Sequence, residues 1–183
     1  MNDTQINVMV DLETLGRGPD AMVLSIGAVV FDPVDGKGLG ERFYVEIDPE
    51  TSPGKMDVGT VHFWMQQAKD GNFPPMNGTA RHEWAFQEFY TWLQAKCNYQ
   101  LNNLIIWSNG TDFDIPKCKN PPWKYSNVRD CRTIFKVFGL PEDMPPSQNH
   151  HNALADAEWQ AVYLINILKN FKLGDSNVPA TST

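Results

Sequence analysis

Apolar residues crowd two early stretches, residues 6–11 and 23–32, the second rich in Val and Ile, and short runs of this kind predict buried strands. Residues 42–47 instead alternate apolar and polar positions, as a half-buried strand does. Gly36-Lys37-Gly38-Leu39-Gly40 between them predicts a turn, so the second and third strands are expected to form an antiparallel hairpin. A short helix is expected over residues 60–69, then a loop at Asn72-Phe73-Pro74-Pro75. Trp84, Phe86, Phe89, Trp92 and Leu93 recur at helical spacing and predict a long helix over residues 82–97. Residues 103–107 read as a fourth buried strand closing on the turn Ser108-Asn109-Gly110. A short helix from about Phe113, an interruption at Pro121-Pro122, a helix capped by Asp130 and a final helix over residues 152–171 follow. Three strands, helices, a strand and more helices predict an α/β fold with helices packed on a mixed sheet. The expectation is a single domain, residues 1–173, with a frayed polar tail, residues 174–183.

The pattern also places charges where apolar residues would be cheaper. Asp11 and Glu13 are two apart at the end of the first strand, so their side chains share one face. Two carboxylates this close repel each other unless a cation lies between them, and magnesium accepts such oxygen ligands. The competing reading is a solvated strand end with acidic turn residues. Asp112 or Asp114 lies just beyond the carboxyl end of the fourth strand, where α/β proteins place ligands, and the pattern Asn109-x-x-x-Phe113-Asp114 favours Asp114 as the inward residue. Either Asp could instead cap the following helix. On the final helix Ala153, Asp156, Ala157, Gln160, Ala161 and Leu164 share one face, which is apolar apart from Asp156 and Gln160. A carboxylate there needs a metal or a donor. His151 sits just ahead of that helix, in His150-His151-Asn152.

Composition narrows the classes. With 42% hydrophobic and 20% charged residues the chain is ordinary for a soluble globular protein, while six Trp and ten Phe are a heavy aromatic content, read for any one ring first as core and alternatively as a surface for base stacking. A net charge of -7 argues against non-specific duplex binding but not against a phosphate drawn to bound cations. Lys117, Lys119, Lys124, Arg129, Arg132 and Lys136 make a local basic stretch opposed only by Asp130, read either as a solvated face or as a contact for substrate or a second subunit. Cys97, Cys118 and Cys131 show no disulfide or zinc spacing, and no run approaches the ~18 apolar residues of a membrane span, so a reducing cytoplasm is the expected compartment.

The ordered set Asp11-x-Glu13, then Asn109-x-x-x-Phe113-Asp114, then His151-x-x-x-x-Asp156 resembles the DEDDh 3'-5' exonucleases of the ribonuclease H-like superfamily. Asp11-Leu-Glu-Thr-Leu-Gly16, Ser25-Ile-Gly-Ala28, Phe63-Trp64-Met-Gln-Gln67, Trp107-Ser-Asn-Gly110 and Arg129-Asp-Cys-Arg-Thr133 are similar to the small bacterial and phage branch of that group. Phe63 stands where that branch often has Trp, and Ser108 where it often has Gly. The resemblance implies a ribonuclease H-like fold in which Asp11, Glu13, Asp114 and Asp156 hold two magnesium or manganese ions. It implies that His151, a side chain type that can be a neutral base near pH 7, acts on the attacking water, with Glu13 serving catalysis as well. Leu12, Thr14, Leu15, Gly16, Trp64 and Asn109 would contact substrate, a single-stranded RNA or DNA with a free 3' end. A homodimer is compatible with the branch. Two other classes fit less well: a nucleic-acid-binding module that has lost the chemistry, and a metal-dependent phosphatase on small esters.

Overall fold

The computed structural model describes residues 5–33, 38–139 and 151–175. Five strands, β1 (Ile6–Thr14), β2 (Val23–Phe31), β3 (Leu39–Glu46), β4 (Leu104–Ser108) and β5 (Val128–Asp130), form one sheet in the order β3-β2-β1-β4-β5. The β1–β2 and β2–β3 pairs are antiparallel, as the expected hairpin requires, and β1–β4 and β4–β5 are parallel. Residues 34–37 of the glycine-rich turn lie outside the described residues.

Alternation along β1 sorts its side chains into two cores. Val8, Val10 and Leu12 pack with Ile26, Ala28, Leu104 and Ile106 under Phe86, Phe89 and Leu93 of α2 (His82–Lys96). Met9, on the opposite face, packs with Val29 and Phe31 against α4 (Cys131–Phe138) and α5 (Ala153–Asp175). The sheet is thus covered on both faces. A third cluster, Leu15, Leu24 and Trp64, fastens α1 (Val58–Gln67) beside the end of β1. Trp64 is buried there, and its indole N–H donates to the Thr14 carbonyl at 3.0 Å. Asp57 caps α1 through the Thr60 N–H at 2.8 Å and also accepts from the Arg17 N–H at 2.8 Å, joining the turn after β1 to the helix.

Several expected boundaries move. β1 runs on to Thr14, so Glu13 lies inside the strand, next to an irregularity in register at Glu13/Thr14. The short helix α3 is Thr111–Asp114, starting two residues before Phe113. Asp130 does cap α4, accepting from the Thr133 N–H at 2.8 Å, but it also ends β5, a strand too short to show any period in sequence. Asn152 is the cap of α5 and not its first residue, since its Oδ1 accepts from the Ala155 N–H at 3.0 Å. The helix then continues to Asp175, taking in two residues that the sequence reading assigned to a tail; residues 176–183 lie outside the described residues.

α5 reaches the sheet because of what is missing from both surfaces. Ala153, Ala157 and Ala161 are fully buried along its inner face. Opposite them is Gly27, the β2 partner of Asp11, where a Cβ would lie 2.1 Å from the Ala153 carbonyl carbon. Gly27→Ala is therefore expected to push the start of α5 away and cost about 1–3 kcal/mol, a fall of several degrees in thermal midpoint. An unchanged midpoint would show that the helix retreats freely.

Candidate active site

The carboxyl ends of β1 and β4 and the start of α5 enclose a cleft of about 670 Å³. Asp11 and Glu13 enter it from the α5 face of β1, because their strand partners are Gly27 and Ser25 on that same face. Asp114 arrives from the chain after β4, the strand that flanks β1 on the edge away from β2. Gly110, with φ at +110°, turns the chain after β4 into α3 and leaves Asp114 2% exposed. Asp112, the alternative, is not part of the cleft wall.

α5 contributes two polar groups, and the loop before it contributes a third. Gln160 donates from Nε2 to Asp11 Oδ1 at 2.8 Å. One turn earlier, Asp156 Oδ2 accepts from the backbone N–H of His151 at 2.9 Å, so the loop carrying the histidine is tied to the helix carrying the carboxylate. His151 adopts a left-handed backbone, φ +70°, uncommon for a residue with a side chain. Its ring lies edge-on to Phe63 and Trp64, with centroids 5.1 and 5.3 Å away, and its Nε2 is 3.2 Å from Gln67 Oε1. α1 thus grips the imidazole on three sides. Ligand atoms of Glu13, His151 and Asp156 all lie within 4.8 Å of one another, a grouping that could hold a metal ion.

The electrostatics follow from enclosing several acids together. Burial pushes the Glu13 carboxyl up to about 8, and the Asp156 and Asp114 charges add to the rise. Burial likewise lifts Asp114 to about 7, against the opposing pull of Lys117 and Arg132. Asp11 is raised well above the carboxylate range, first by desolvation, then by Asp114 and Glu13, while the Gln160 amide pulls the other way. The cleft holds more acids than it can ionise unaided, and a divalent cation would relieve that. The donors are oxygens and one imidazole, a set that suits a hard or borderline divalent ion.

The structure brings Asp11, Glu13, Asp114, Asp156 and His151 to one cleft, together with Leu12, Thr14, Trp64 and Asn109. Leu15 and Gly16 are not on its wall: Leu15 belongs to the buried cluster with Leu24 and Trp64, and Gly16 abuts the Lys55 carbonyl. The basic stretch does not form one face. Lys117 is buried with its ammonium on the Phe113 carbonyl, Lys119 and Arg129 donate to nearby carbonyls, and of the six only Arg132 reaches the cleft. Gln67 and Phe63 were given no site role in the sequence reading, and Arg132 was marked only as part of the basic stretch. Each nonetheless lies within a motif that the resemblance rests on, and Gln160 was visible as the second polar residue on the α5 face.

A mixed sheet with helices on both faces and acids gathered at the ends of β1 and β4 is an α/β fold that this chain shares with solved exonuclease structures. The chain superposes on E. coli exonuclease I bound to a dA16 oligonucleotide with a TM-score of 0.60 and 16% identity, over 94% of this chain and 43% of that one. A zinc-bound E. coli exonuclease I complex with single-stranded DNA gives 0.62 and 15%, over 94% and 42%. Exonuclease X bound to a 5' overhanging duplex DNA gives 0.54 and 17%, over 90% and 92%. The chain thus spans less than half of exonuclease I, and at these identities the likeness is one of fold. No curated protein sequence matches. The model of the 3'-5' exoribonuclease Rv2179c-like domain matches residues 6–168, and the chain belongs to that family of 3'-5' exonuclease hydrolases.

The raised acids set a sign for pH dependence. Between the ordinary glutamate value of 4.5 and about 8, the folded chain keeps a proton on Glu13 that the unfolded chain has released, so raising the pH across that window weakens the metal-free fold. A cation that binds the ionised cluster offsets this. The gap in thermal midpoint between protein in magnesium or manganese and protein in chelator should therefore widen from pH 5.5 to pH 8.5. A gap that stays constant or narrows would contradict a cation site built on these acids.

Proposed function

We propose that this protein is a divalent-metal-dependent 3'-5' exonuclease that shortens single-stranded nucleic acid from its 3' end and releases nucleoside 5'-monophosphates. The observation that carries this reading is the convergence of four carboxylates and a histidine on one cleft, three of the acids raised chiefly by burial. In this reading Asp11, Glu13, Asp114 and Asp156 hold two magnesium or manganese ions. Such a pair, when bound, would stabilise the attacking and leaving oxygens of the phosphodiester displacement.

The chain's own groups account for the rest. His151 takes the proton from the attacking water, and its orientation comes from Gln67 and the edges of Phe63 and Trp64. A volume of about 670 Å³ falls within the range of roughly 300–1,000 Å³ typical of clefts that enclose a small ligand, which suits a terminal nucleotide better than a duplex. Phe63, 39% exposed, offers a ring for the terminal base. Trp64 acts beneath it by holding the Thr14 carbonyl, so its part is to shape the cleft floor beside Leu12 and Thr14. The family's description as exoribonucleases favours RNA as the substrate. A module without chemistry would have no need of all four acids.

With 5'-labelled oligonucleotides, single-stranded RNA should shorten stepwise from the 3' end in magnesium and stay intact in chelator, with DNA cut more slowly. Shortening from the 5' end, or at equal speed without metal, would defeat the proposal. Asp11→Asn and Asp156→Asn should abolish the ladder while keeping a cooperative melt, and His151→Ala should lower kcat by about 10²–10⁴-fold.

A further inference from the structure

Arg132 is the one cation of the basic stretch that reaches the cleft, and the fold makes room for it. Its guanidinium occupies the space that a side chain at residue 110 would fill: a Cβ on Gly110 would lie 2.2 Å from Arg132 Nη2 and 2.5 Å from its Cζ. One Nη2 hydrogen bond goes to the Asn109 carbonyl. That contact fixes the head of an otherwise exposed side chain at the turn leading from β4 to Asp114. The base of the arginine is fixed too, because Asp130 caps α4 through Thr133 and accepts from the Thr111 N–H at 2.9 Å with its other oxygen. A guanidinium has five N–H donors in a planar fork suited to phosphate, so one carbonyl leaves most of its capacity unspent. Arg17 stands elsewhere on the same wall, held by Asp57, and these two arginines are the only Lys or Arg side chains on the cleft wall among the described residues.

We propose that Arg132 binds the phosphate backbone of the substrate strand upstream of the bond being cut, making the enzyme select a polynucleotide over a single phosphate ester. This inference rests on the nuclease reading above and deepens it. The acids, with the cations they would hold, would take the scissile phosphate; an arginine anchored at the cleft wall gives the next stretch of backbone a partner of opposite charge. The net charge of -7 makes such a local anchor more consequential, because the protein as a whole repels the strand.

Two measurements on the full chain test it. In chelator, where nothing is cut, a fluorescein-labelled single-stranded octanucleotide should bind Arg132→Gln at least tenfold more weakly than wild type, with Arg132→Lys intermediate. The slope of log affinity against log salt should fall by about 0.7, the share of one phosphate contact on a single strand. In magnesium, Arg132→Gln should lose most of the preference in kcat/KM for the octanucleotide over a dinucleoside monophosphate, which has no upstream phosphate. A neutral methylphosphonate in place of the upstream phosphates should produce the same loss in wild-type protein, and adding Arg132→Gln should then change little. Unchanged affinity and salt slope in Arg132→Gln would overturn the proposal, as would an equal loss of kcat/KM on both substrates, which would place the arginine at the scissile phosphate or at Asp114. Should Arg132→Gln not fold, Arg132→Lys and the methylphosphonate substrate carry the same comparison. Wild-type protein that binds the octanucleotide but never cuts it would defeat the nuclease reading and leave the binding result to judge Arg132. Protein that neither binds nor cuts defeats both.

Discussion

The approach of α5 to the sheet at Gly27 is the contact on which the rest of the site depends. Three fully buried alanines and a glycine without a Cβ let the helix backbone come down beside the strand partner of Asp11. That distance puts Gln160 within 2.8 Å of Asp11 and carries Asp156 into the same cleft as Glu13. Larger side chains at the same positions would hold the helix off, and the acids would then be separate and solvated. Close packing and charge repulsion are therefore coupled here. The apolar contacts beneath α5 supply the free energy that keeps like charges together.

A second dependence runs through α1. The indole of Trp64 is bonded to the Thr14 carbonyl at the end of β1, and its ring edge, together with that of Phe63, flanks His151. One helix thus supports both the strand end that presents Glu13 and the loop that presents the histidine. The strained backbone at His151 is held by Asp156 behind it and Gln67 in front. Precision at such a site comes from packing on neighbouring elements, since a loop residue with a single bond could swing away.

Much of this was legible in the residues. Runs of Val and Ile, glycine-rich turns and aromatic spacing marked four of the five strands and the main helices, because local periodicity reports which face of an element is buried. β5 escaped because three residues cannot show a period. The end of β1 escaped because Glu13 and Thr14, polar and buried, look like the start of a turn. The acids and the histidine were readable from their order, yet their partners were less so. Gln67, Arg132 and Phe63 lie in motifs of the resemblance, but their part in the cleft depends on where their helices dock.

By itself the sequence determined the class of fold, the family and the five residues that meet in the cleft, since element types and motif order are properties of the chain. Tertiary structure alone decided which charges share an enclosure, that Trp64 is buried in the cleft floor while Phe63 stays partly exposed beside it, and that a run of six cations offers one of them to the cleft. Those outcomes depend on groups up to 149 residues apart, as Gln160 and Asp11 are, being held within hydrogen-bonding distance. Burial, which raises the acids and selects the accessible ring, exists only once the helices have docked on the sheet.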